Sequence, residues 1–136
     1  MRNQNKEDYI KAIYHLEEEL NKPIKSIELA KYLRISKPSI SEIIRKLINL
    51  RLINFKDKKL SLTKKGLREA EKITYRHRII EVFLTRVLKL KSGVHEEGNK
   101  LEHAFSDKSV RKLSILLKNP QFCPHDKPIP KMKNRK

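Results

Sequence analysis

Glycine, cysteine, tryptophan and long apolar runs are what this chain has least of. Three glycines in 136 residues, at 66, 93 and 98, leave little room for the turns of an all-β protein, and most of the chain carries helical periodicity. The single cysteine, Cys123, excludes an internal disulfide, so a reducing cytoplasm is the expected compartment. No stretch approaches the roughly 20 apolar residues of a membrane span, and the polar start MRNQNKEDY lacks the apolar core of a secretory signal. No Gly-rich phosphate loop, no HExxH helix and no nucleophile beside a base is present, which argues against an enzyme and against a small-molecule substrate.

Acidic residues are scarce too: 16 against 33 basic ones, a formal net charge of +17. Such a surplus favours a polyanionic partner, most often nucleic acid, although a lysine-rich surface can also reflect composition alone. With 38% apolar and 36% charged residues, the chain reads as one small domain with a helical extension. Its core is modest, and dimerisation would enlarge it.

The expected fold is mainly α. A first helix covers 5–20, with Ile10, Ile13, Glu17 and Leu20 on one face, and Asn21–Pro23 end it. SIELAKYLRISKPSISEIIRKLINLRLI reads as helix, short turn, helix. Ser26 is the expected N-cap of the first, with Ile27, Ala30 and Leu33 inward. Ser36 caps the second, with Pro38 in its first turn and Ile40, Ile43, Ile44 and Leu47 inward. LINFKDKKLSLT suggests a hairpin around Asp57, Lys58 and Lys59. Thr63 caps a long helix to about residue 89, where Ala70, Ile73, His77, Ile80, Leu84 and Val87 form a seam for a partner helix. Further helices cover about 94–104 and, starting at Ser106 or Asp107, about 107–118; NPQFCPHDKPIP is irregular. The domains expected are a winged helix-turn-helix (1–63), a helical dimerisation and metal-binding domain (64–130) and a disordered basic tail (131–136).

Helix-turn-helix plus hairpin can place the second helix in a DNA major groove with the hairpin as a wing; the alternative is an ordinary helical hairpin with a solvated basic face. Between Arg34 and Lys59 there are eight basic residues and two acidic ones. Ser36, Lys37, Pro38, Ser39, Ser41 and Glu42 open the reading helix with small polar groups; Arg45, Lys46, Lys58 and Lys59 suit phosphates. Glu42 either accepts from cytosine N4 or pairs with Arg45 or Lys46 on its own helix.

Three of the five histidines lie in YRHRIIEVFL and VHEEGNKLEH. His77 and Glu81 are four apart on one helix face; His95, Asn99, Glu102 and His103 share another. One histidine on an apolar face is usually a hydrogen-bonded core residue. Three histidines with two glutamates suit a divalent transition metal such as Mn²⁺, Fe²⁺, Co²⁺, Ni²⁺ or Zn²⁺. Cys123 and His125 belong either to a further metal or redox site or to a Pro-stabilised terminal turn.

KEDYIKAIYHLEEE, IELAKYL, ISKPSISEIIRKL, LSLTKKG, YRHRIIEVFL, VHEEGNKLEH and CPHDKPIP follow one another in an order that resembles the iron-dependent repressor family, over nearly the whole chain. The resemblance implies a homodimeric winged-helix repressor driven by metal onto palindromic operator DNA. It matches Asp8, Glu102 and His103 to one set of metal ligands and His77, Glu81 and His95 to an ancillary set. It matches Ser36, Pro38, Ser39, Ser41 and Glu42 to DNA-contacting positions. Three departures accompany it. Asn99 stands where the family carries Cys or Glu, and Lys11 where manganese regulators carry a bridging Glu. The chain also ends after PIP, as a short form without an SH3-like domain. Each carboxylate lost about 4 Å from a cation removes roughly 4 kcal/mol of attraction at an effective dielectric near 20. The alternatives are a winged-helix regulator without metal control, an RNA-associated basic protein and a metal-dependent hydrolase. The scattered Tyr and Phe residues, four of each, speak against the RNA reading.

Overall fold

Serine and threonine side chains start three of the helices by accepting orphan backbone N–H groups. In the computed structural model, which describes residues 3–132, the chain divides into two compact units, up to Glu71 and from Lys72. Residues 133–136 of the expected basic tail lie outside the described range.

The first unit begins with α1 (Asn3–Leu20), whose Ile10, Ala12, Ile13 and Leu16 are buried. Asn21 ends it in the left-handed region (φ 54). Strand β1 (Ile24–Lys25) then runs directly into α2 (Ser26–Leu33). Ser26 is therefore not the cap: it is already helical, and extended Lys25 holds the cap position. The Glu28 carboxylate accepts from the Lys25 N–H at 2.8 Å; a lysine ammonium has no lone pair to return the bond. The buried face of α2 is Leu29 and Ala30, while Ile27, expected inward, is exposed and Leu33 is half-buried.

Arg34 (φ 56), Ile35 and Ser36 form the turn to α3 (Lys37–Asn49). Ser36 Oγ accepts from the Ser39 N–H, as expected, and Ile40, Ile44 and Leu47 are buried. Strands β2 (Ile53–Lys56) and β3 (Lys59–Leu62) form the hairpin. Its turn is Asp57–Lys58, both at positive φ, and Lys59 already pairs with Lys56. The sheet order is β1-β3-β2, with Ile24 opposite Leu60. The sequence reading missed β1, since two residues carry no period.

Helix α4 (Lys64–Arg86) is capped by Thr63 Oγ1, which accepts from the Gly66 N–H at 3.0 Å. It ends three residues short of expectation, and Val87 is half-exposed rather than in the seam; Ala70, Ile73, His77, Ile80 and Leu84 are buried as expected. In the second unit, α5 (Val94–Leu101) is shorter than the expected 94–104, so Glu102 and His103 lie in the turn after it. Ser106 caps α6 (Asp107–Leu116). Ile79, Val82, Val110, Leu117 and Ile129 form this unit's core. The terminal segment is irregular, as expected, and is pinned by turns: Phe122 bridges Pro128, and the Cys123 N–H donates to the Lys127 carbonyl. Arg78 is buried and donates to the Pro128 carbonyl at 2.6 Å, which ties the segment to α4.

Gly66 is the one glycine the first unit cannot replace. A Cβ there would lie 2.0 Å from the Leu52 carbonyl oxygen, a backbone atom with no freedom to withdraw. Gly66→Ala should cost about 2 kcal/mol in urea denaturation. A change within about 0.5 kcal/mol would show that the helix does not need this approach.

Candidate functional site

From His77 to Val82 every residue of α4 is buried, more than a full helical turn, so His77 and Glu81 enter the second unit's interior together. Both are at most 2% exposed. Four-residue spacing stacks them, and His77 Nε2 lies 3.3 Å from Glu81 Oε1. Helix α5 brings His95 alongside: its Nδ1 is 3.3 Å from His77 Nε2 and 3.7 Å from Glu81 Oε2. The terminal segment delivers two more donors. His125 Nδ1 stands 3.4 Å from Glu81 Oε2, and Cys123 joins Glu81 and His125 with ligand atoms within 4.8 Å of one another. His77, Glu81 and His95 form a second such group.

Glu81 Oε2 is buried and accepts no hydrogen bond, although imidazole nitrogens surround it. Burial pushes this carboxyl up, but contacts from His77 and His95 and the charge of His77 and His125 outweigh it and hold it at about 2. The base of the cluster is buried and its rim, His95 and His125, is about half-exposed. A carboxylate oxygen without a hydrogen, ringed by nitrogens and a thiol, fits a divalent cation reaching it from solvent.

On its other side, His77 Nδ1 lies 2.6 Å from Glu102 Oε2, and Glu102 is fully buried. Glu102 Oε1 lies 3.5 Å from His103 Nε2. Asn99 stands on α5 three residues before Glu102, half-buried. Asp8 lies on α1 in the first unit, half-buried. The structure thus gathers His77, Glu81, His95, Glu102 and His103 in the second unit. It adds Cys123 and His125, which the sequence reading left open between a metal site and a terminal turn. Only the packing of that turn on α4 brings them to Glu81.

On the first unit, Ser36, Lys37, Pro38, Ser39, Ser41, Glu42, Arg45 and Lys46 are all exposed on α3 or at its cap, and Lys58 and Lys59 are exposed on the hairpin. Glu42 Oε1 pairs with Lys46 Nζ at 3.2 Å, the on-helix option of the two expected. Arg34, Arg51 and Lys56 are exposed in the same stretch and extend the basic set.

Both halves of the chain resemble known proteins. Residues 1–59 match the iron-dependent repressor N-terminal DNA-binding domain, and residues 63–131 match the iron-dependent repressor metal-binding and dimerisation domain. The chain belongs to the iron-dependent repressor family, which is one of transcriptional regulators. It is 40% identical over 116 residues to an uncharacterised helix-turn-helix transcriptional regulator of Methanocaldococcus jannaschii, covering 84% of this chain and 93% of that protein. It is 32% identical over 126 residues to the diphtheria toxin repressor of Corynebacterium diphtheriae, covering 91% of this chain and 55% of the repressor. A solved manganese-dependent transcriptional repressor in complex with manganese superposes with a TM-score of 0.85 at 35% identity, over 93% of this chain and 58% of that one. The chain therefore spans a little over half the length of these two repressors. Among the described residues no helix is long and apolar enough to cross a membrane.

His77 lies 3.3 Å from Glu81 Oε1 and 2.6 Å from Glu102 Oε2, between the two buried carboxylates. In chelator-treated protein, His77→Ala should cost about 3 kcal/mol in denaturation. His95→Ala, at a ring 48% exposed, should cost less than about 1 kcal/mol. Equal losses would mean that burial of the carboxylates does not depend on His77.

Proposed function

We propose that the chain is a metal-responsive transcriptional repressor that binds operator DNA as a homodimer in the cytoplasm, with Mn²⁺ or Fe²⁺ as activating ion and no catalytic activity. Residues 1–63 would read DNA and 64–130 would dimerise and bind metal. The observation that carries the metal half is Glu81 Oε2, buried without a hydrogen bond and faced by His95 and His125. His77, Glu81 and His95, with Cys123 and His125 beside them, would hold one ion. Glu102 and His103, joined by Asp8 as the family resemblance implies, would hold the other, with Asn99 as a neutral donor.

The bound ion supplies concentrated positive charge that holds carboxylates and imidazoles from separate elements together. Asp8 belongs to α1, which packs on α2 and β3, so restraining Asp8 restrains the reading head. Two recognition helices must sit about 34–36 Å apart, or a multiple, to enter successive major grooves. Ser36, Ser39 and Ser41 would meet phosphate and base edges at the α3 N-terminus; Arg45, Lys46, Lys58 and Lys59 would neutralise phosphates. Glu42, held by Lys46, would limit how closely a phosphate approaches that turn.

Fluorescence anisotropy on a palindromic operator and a scrambled duplex, at fixed near-physiological salt, tests this. Chelated protein is compared with protein given Mn²⁺, Co²⁺ or anaerobic Fe²⁺. We expect at least a tenfold gain on the operator alone, about 1.4 kcal/mol of coupling. Operator preference without any metal effect would favour the alternative, a winged-helix regulator without metal control, for which Lys11 and Asn99 at ligand positions already speak.

The dimer surface is proposed at the ends of α4 and α6. Arg86 donates to the Leu117 carbonyl there, and Val87, Leu88, Ile115 and Leu116 are 50–71% exposed. Such clustered apolar exposure is what a protein interface covers. Native protein should sediment as a dimer, and an Ile115→Lys, Leu116→Lys double variant as a folded monomer. A dimer unchanged by the double substitution would place the interface elsewhere.

A further inference from the structure

We infer that Glu17 is a positioning residue for DNA binding: from α1 it fastens the root of the β2–β3 hairpin, so that the hairpin's lysines meet phosphate at a fixed place. This rests on the DNA-reading half of the function above and is independent of its metal half. It adds the residue that aims the wing.

The hairpin needs outside fastening. Each of its strands has four residues, and two such strands alone are marginal in water. Toward the turn the fastening is β1. Ile24 and Lys25 pair with Leu60 and Lys59, and the Ser26 N–H donates to the Lys58 carbonyl at 3.3 Å. Continued backward, this register would set Lys22 against Leu62, but the chain there is still turning out of α1, with Asn21 at φ 54. The Leu62 N–H donates instead to Glu17 Oε1, at 3.3 Å. Glu17 thus gives β3 by side chain the acceptor that a longer β1 would give by backbone. Leu62 is the root of the wing: it pairs with Ile53 across the hairpin and precedes Thr63, the cap of α4.

The carboxylate is held at a cost. Glu17 is half-buried on the face of α1 that carries Ile10, Ile13 and Leu16. Burial pushes its carboxyl up, and the Leu62 N–H draws it back toward the charged form. The neighbouring ammonium of Lys22 lies 3.9 Å from Glu28 Oε2 and is engaged there. Glu17, Asn21, Lys22, Pro23 and Ser61 line an open cavity of about 260 Å³, wide enough for water. Without the carboxylate, water can take the Leu62 N–H. The hairpin then keeps its internal pairing but loses its tie to α1 and pivots on β1, and its lysines reach phosphate from a spread of positions.

A double-mutant cycle on the full chain tests this, by fluorescence anisotropy on a random-sequence duplex in the presence of chelator. Phosphate contact is then read without operator or metal. Lys58→Asn with Lys59→Gln removes the wing charges, and Asn suits the positive φ of residue 58. This pair should weaken the native chain about fivefold. Glu17→Ala should weaken it about threefold, although removing a negative charge by itself favours a polyanion. Adding the wing pair to Glu17→Ala should cost less than about a further twofold. Glu17→Gln keeps an oxygen for the Leu62 N–H and should bind at least as tightly as the native chain. Amide exchange at Leu62 should speed at least about tenfold in the Ala variant and stay slow in the Gln variant. A merely structural Glu17 would leave the wing pair its full fivefold effect in the Ala background. That result, a Gln variant as weak as Ala, or unchanged exchange at Leu62 would overturn the inference while leaving DNA binding in place. A native chain without affinity for the duplex would remove the DNA-reading half itself, and the inference with it.

Discussion

Two carboxylates held out of water around one imidazole set the terms for the second unit. Glu81 and Glu102 are 2% and 0% exposed, and an ionised carboxylate in such a place costs several kcal/mol unless its oxygens find partners. His77 faces both, with Nδ1 2.6 Å from Glu102 Oε2 and Nε2 3.3 Å from Glu81 Oε1, yet Glu81 Oε2 accepts no hydrogen bond. In a chain of net charge +17 these carboxylates are not there to balance the surface, where Lys72 and Arg76 already pair with Asp107. On the proposed reading they are kept for a cation, and the metal-free protein tolerates an incompletely satisfied interior so that the ion has a reason to bind.

The DNA-reading unit solves a different problem. Basicity alone attaches a protein to any duplex, because the attraction is to phosphate and is the same for every sequence. Selectivity then has to come from small groups placed at base edges and from the spacing of two reading heads. The α3 N-terminus offers the hydroxyls of Ser36, Ser39 and Ser41, with Lys37 as the one basic side chain of its first turn. Its acidic residue, Glu42, is tied to Lys46 and lowers the local charge. A surface so arranged binds weakly by contact chemistry and gains specificity mainly when geometry is imposed on it. That is the setting in which an ion restraining α1 has something to control.

Periodicity made the interior of the helices legible: Ile40, Ile44 and Leu47 on α3, and Ala70, Ile73, His77, Ile80 and Leu84 on α4, all lie on the faces their spacing indicates. Cap chemistry located Ser36 and Thr63 and left Ser106 open against Asp107, whereas the same signal at Ser26 fell on a residue already inside its helix. What stayed hidden was whatever depends on a distant partner. Strand β1 exists only through its pairing with β3, and the side of α2 that packs on the rest of the unit, Leu29 and Ala30 rather than Ile27, is set by tertiary contacts. Val87 fits the seam by spacing, but α4 has already ended at Arg86. Cys123 and His125 reach Glu81 because Arg78 and the core residue Ile129 hold the terminal segment on α4, and neither contact has a local signature.

The donor types also bear on which ion each group prefers. Around Glu81 stand three imidazoles and a thiol with one carboxylate, a set that favours Fe²⁺, Co²⁺ or Zn²⁺ over Mn²⁺ in the usual order of affinities. The group at Glu102 and His103 is built on carboxylate and one imidazole, with the amide of Asn99 nearby in sequence, and is harder. Oxygen donors suit Mn²⁺ better than they suit the later metals, whose advantage lies with nitrogen and sulfur. A chain with both groups would therefore discriminate less by affinity at either one than by requiring both to fill. Asn99 would add to the hard group a donor without charge, so that group would hold a cation less tightly than one with a further carboxylate.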